Sequence, residues 1–157
     1  MSETVTPLIE KIAENIKTAI AAITTGAGFN QTLIPIRPKR NDFAAAAWDD
    51  LTVLINQAEA EEHEGGYGAK EWRQNFILVC IVIDDETATT SIDTRLNQVS
   101  SDIFKKLLED PGRGGLAIDT NIHAAKPFID DETAMSGIAV QVSVDYRTKE
   151  NDPYTQM

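Results

Sequence analysis

The 157-residue chain carries 25 Asp plus Glu against 14 Lys plus Arg, a net charge of -11, and has the length of a single domain. Its 42% hydrophobic and 25% charged residues are globular values that argue against wholesale disorder. The acidity argues against stable binding to duplex DNA, which depends on cationic side chains releasing counterions.

No apolar run approaches the roughly 18 residues of a membrane span, and the opening residues lack the layout of a signal peptide. A soluble protein with no membrane partner is expected. The single cysteine, Cys80, sits in an apolar run, where a thiol behaves as a small hydrophobe. It leaves no disulfide framework within the chain, which fits folding in a reducing cytoplasm.

In chain order, Thr6 is placed to cap a helix with Pro7 at its first position, where a missing N–H costs nothing. Leu8, Ile12, Ile16, Ile20 and Ile23 then form one apolar stripe, and Gly26 and Gly28 end the element. Thr32 to Ile36 reads as a short strand, confined to an edge or a strand end by Pro35. Arg37 to Asp50 is expected as an irregular loop with the only basic cluster, Arg37-Pro38-Lys39-Arg40.

Leu51 to Ile55 reads as a second strand. The acidic stretch Glu59 to Glu64 and the glycines around Tyr67 read as a mobile, solvated loop. Trp72 to Ile83 is strand-like, and within it Phe76 to Ile83 is apolar on both parities, which predicts a central strand covered on both faces.

A second helix carries the stripe Ile92, Leu96, Val99, Ile103 and Leu107, with Thr90 and Asp93 at capping-box spacing. Lys105 and Lys106 lie near its C-terminal end, favourable for the helix dipole. Asp110 to Gly115 breaks it with a turn. Leu116 to Ala125 alternates weakly, and a loop leads on into the clearest strand, Ser136 to Arg147. There Ile138, Val140, Val142, Val144 and Tyr146 share one parity, and Ala139, Gln141, Ser143, Asp145 and Arg147 share the other. Helix, three strands, helix and two strands with short connections predict an α+β domain, a mainly antiparallel β-sheet with two amphipathic helices packed on it.

Residue chemistry supplies no familiar catalytic motif: no Walker loop, no nucleophile elbow and no paired-cysteine metal motif. His63 and His123 lie far apart and read as surface residues. Gly112, Gly114 and Gly115 read as a helix-terminating turn in preference to a phosphate loop. The hexapeptide Ile83 to Ala88 recurs as Ile129 to Ala134. Its Asp84-Asp85-Glu86 and Asp130-Asp131-Glu132 carboxylates suit either charged strand-end turns, the favoured reading, or a hard cation. No cofactor or metal is expected.

Val142 to Thr148 with Asp152-Pro153-Tyr154 resembles the closing strand and tail of the phage tail terminator (tail completion) family of minor tail proteins. Further matches follow in order over nearly the whole chain: the opening helix, Arg37-Pro38 after a short strand, Leu51 to Ile55 before acidic residues, and Trp72-Arg73-Gln74 leading the apolar strand. The second helix then closes with Leu108-Glu109-Asp110 and Gly114-Gly115-Leu116-Ala117. Arg113 departs from the apolar residue the pattern would place before the glycine pair.

The resemblance implies a single domain over residues 1–157 with a flexible tail from about Thr148. It also implies a structural, non-enzymatic role in the virion, after assembly in the host cytoplasm. Such proteins form six-membered rings that cap the completed tail tube, stop its polymerisation and offer the head-joining surface. The implied partners are further copies of the chain, the tail tube protein and a head–neck connector, while DNA passes through without specific binding. A head-to-tail ring requires two different complementary surfaces per subunit. Arg37, Lys39, Arg40, Glu61, Glu62, Glu64 and Tyr67, in the two long loops, are the candidate assembly contacts. The rival readings are another neck or head-completion adaptor, a tail tube subunit, or a small carboxylate metal-dependent enzyme.

Overall fold

The computed structural model describes residues 5–38, 48–64, 66, 68–83, 90–130 and 135–157. In order, the elements are α1 (Leu8–Ala21), a 3-10 turn (Thr25–Ala27), β1 (Ile34–Ile36), β2 (Thr52–Glu64), β3 (Ala69–Ile81), α2 (Ile92–Glu109), β4 (Asp119–Asp130), β5 (Met135–Lys149) and β6 (Asp152–Gln156). The strands form one sheet in the order β1-β2-β3-β5-β4, with β6 paired to the end of β5. Every pairing is antiparallel except β1 on β2. This is the α+β architecture expected from the residue pattern.

Both helices lie on one face of the sheet. Ile12, Ile16, Ile20, Val99, Ile103 and Leu107 are fully buried against Phe76, Leu78, Val140 and Val144. Each such side chain stabilises the fold by about 1.5–3 kcal/mol relative to exposure. Ile23 lies beyond the end of α1 yet joins the same cluster.

The caps differ from expectation by one residue each. Pro7 is itself the N-cap of α1, with its carbonyl accepting from Glu10 N–H at 3.0 Å and Lys11 N–H at 3.2 Å, and Thr6 plays no part. Ser91, not Thr90, caps α2, its hydroxyl accepting from Thr94 N–H at 3.2 Å.

Buried Asp102 on α2 holds the segment leading into β1. Its carboxylate accepts from Asn30 N–H at 3.2 Å and Gln31 N–H at 2.9 Å. Lys105 Nζ lies 4.9 Å from the centre of the nearby Phe29 ring, close enough for cation–π attraction.

Larger corrections concern the strands. The acidic stretch expected as a loop is the distal half of β2, whose residues from Glu61 to Glu64 pair with β3 residues Arg73 to Lys70. Gly66 and Gly68, with φ of +81° and +76°, belong to the tight connection that makes this a hairpin. Lys70 reaches Glu62 at 3.6 Å, so carboxylates that would repel one another in a loop face cationic partners across the ladder.

β3 is central, but only its end is covered on both faces. Phe76, Leu78 and Cys80 are buried under the helices, Ile81 is buried on the other face, and Ile77 and Val79 remain half-exposed. β4 starts later than predicted and runs on to Asp130, into the stretch expected as a loop. The tail expected from about Thr148 is instead the end of β5 and a further strand, β6, which turns back to pair Asp152 with Lys149 and Gln156 with Thr148.

The turn after α2 is built on Arg113. The side chain is 1% exposed, with φ of +50°, and its Nη2 donates to the carbonyls of Leu107 and Asp110. It satisfies helix-terminal acceptors from below, while the Asp110 carboxylate accepts from Gly114 N–H at 2.7 Å. The guanidinium therefore occupies the interior slot where an apolar residue was expected. Burial lowers its pKa.

Candidate functional site

The face of the sheet opposite the helices carries the alternate parity: Asn75, Ile77 and Val79 on β3, Ala139, Gln141, Ser143 and Asp145 on β5. Two β-bulges interrupt it on either side of a single level. Gln57, Phe76, Val142 and Ile122 form one cross-strand row; on one side of it β2 slips between Gln57 and Ala60, and on the other β4 slips between Ile122 and Ala124. A bulge bends its strand, increases the twist and re-aims side chains.

Each bulge has its own polar brace. Gln74, 4% exposed on the core face, donates through Nε2 to the carbonyl of Ala58 in the β2 bulge at 2.9 Å. His123, the inserted residue of β4, places Nε2 2.6 Å from the hydroxyl of fully buried Ser143. Between the bulges lies an open groove of about 400 Å³, whose lining includes Glu59, Glu61, Arg73, Asn75, His123 and Gln141.

Its electrostatics are internally paired on one side. Arg73 Nε donates to Asp145 Oδ1 at 2.9 Å and Nη2 to Oδ2 at 3.4 Å, so the guanidinium grips the carboxylate in a fork. That hydrogen bonding, with the attraction of the same carboxylate, raises the Arg73 pKa. Glu61 stands opposite Arg73 across the β2–β3 ladder, and Glu59 lies in the bulge. The groove therefore combines amide donors and acceptors, one committed arginine, one imidazole and two exposed carboxylates. Such a set recognises polar or cationic groups. The Ser143 hydroxyl itself is fully buried.

The expected contact residues that the structure describes do not form one cluster. Arg37 does not reach outward from a loop; it ties β1 to α1, donating to Glu10, to Glu14 at 2.7 Å and to Gln57 at 3.2 Å. That hydrogen bonding lowers the Glu10 pKa and raises that of Arg37. Glu61 and Glu62 are exposed, but as neighbours on a strand they point to opposite faces. Glu64 closes β2 opposite Lys70, and its side chain lies outside the described residues. Lys39, Arg40 and Tyr67 also lie outside them, as do Asp84, Asp85, Glu86, Asp131 and Glu132.

Of the remaining candidates, His63 is exposed opposite Glu71, and Cys80 is a core residue whose thiol is pushed up to about 12 by burial. Among the described residues no three His, Cys, Asp or Glu side chains gather as a metal site, and no helix is long and apolar enough to cross a membrane.

Reading by parity places Ser143 and Asp145 on the polar face of their strand and His123 on that of its own. The meeting of His123 with Ser143 depends on a bulge, which alternation does not announce. Gln74 was detectable as a polar residue directly in phase with Phe76, Leu78 and Cys80. No family model matches the chain, and no curated protein resembles it closely enough to be counted as a relative.

Proposed function

We propose that this chain is a structural virion subunit of the tail-terminator type. In this reading it caps a completed phage tail tube as a ring, ends tube polymerisation and offers the surface to which the head joins. The observation that carries the proposal is the distal half of the β2–β3 hairpin. Gln57 to His63 are exposed along β2, every rung from Ala60 to Glu64 pairs with β3, and β1 covers only Thr52 to Leu54 of the outer edge.

An ordered, charged arm with one edge unpaired among the described residues is suited to assembly, since its geometry is fixed before any partner arrives. The groove beside it supplies a second, chemically different surface on the helix-free face. A head-to-tail ring needs two unlike surfaces of this kind. A net charge of -11 per subunit also suits a channel through which DNA slides without sticking.

The test is electron microscopy of tails assembled with and without this polypeptide. Without it, tubes of uncontrolled length and detached heads are expected; with it, tubes of set length bearing one copy of the ring at the head-proximal end. Localisation of the chain anywhere other than the junction of tube and capsid would overturn the proposal. A place in the neck or along the tube would assign it instead to a connector or a tube subunit.

A further inference from the structure

We draw no further inference here: the strongest candidate, the groove of about 400 Å³ between the two bulges on the helix-free face of the sheet, belongs to the site already described, and nothing in the structure shows what fills it.

Discussion

Three buried polar side chains hold this fold at places where the backbone departs from regularity. Gln74 closes the β2 bulge, Asp102 fixes the approach to β1, and Arg113 seals the end of α2. Arg113 is the most exposed to test, because removing it strands two helix-terminal carbonyls and leaves a void. Arg113→Ala should cost about 2–4 kcal/mol in urea denaturation, and Arg113→Met, which keeps volume without donors, about half as much. A wild-type midpoint for both variants would show that the guanidinium contributes nothing to the cap.

The Arg37–Glu10 pair makes a prediction in pH. Glu10 has a depressed pKa in the folded state, because Arg37 hydrogen-bonds and attracts its charged form. The folded chain therefore holds this proton less tightly than the unfolded one. The pair's contribution is complete above the usual glutamate value of about 4.3 and fades as pH falls through the lower folded value. Melting temperatures of the parent and Glu10→Gln should differ at pH 7 and converge in acid. Parallel curves from neutral to acid pH would remove Glu10 from the account.

At the scale of elements, β5 is the strand on which the sheet is organised, with β3 on one side and β4 and β6 on the other. It approaches β3 closely at Gly137. A Cβ at this position would lie 2.1 Å from the Cys80 carbonyl oxygen and 2.9 Å from Phe128 Cζ. The aromatic ring can shift, but the ladder cannot yield there without breaking a pairing. Gly137→Ala should lower stability by about 2–3 kcal/mol or more in thermal or chemical melts. A change within about 0.5 kcal/mol, typical of a free surface position, would show that the two strands separate easily.

For the whole molecule, the sheet edges are protected in ways that bear on self-association. β1 carries Pro35, β4 carries Lys126 and Pro127, β6 carries Pro153, and the distal half of β2, its outer edge unpaired among the described residues, carries Glu59, Glu61 and Glu62. Proline, charge and bulges all discourage adventitious strand addition. The isolated chain is therefore expected to be monomeric at micromolar concentration; under the proposed function, ring formation would await the template of a tube end. Light scattering on the parent and on the double variant Lys126→Val with Pro127→Val separates the cases. The parent should stay monomeric and the variant should associate as concentration rises. Equal behaviour of the two would show that the β4 edge is not what keeps the molecule apart.

What the amino-acid order determined by itself was every feature with a regular period. The two apolar helix stripes and the alternation from Ile138 to Tyr146 were legible because buried and exposed faces repeat at 3.6 or 2 residues. Only the tertiary structure decided the rest. Glu59 to Glu64 became strand because Arg73 and Lys70 stand across the hairpin, and the last residues became β6 because β5 had a free edge beyond β4. Arg113 went inside because the α2 terminus needed donors, and His123 met Ser143 because β4 carries one residue more than its partner there. Each of these outcomes depends on a partner distant in sequence, whose position exists only after the chain has closed on itself.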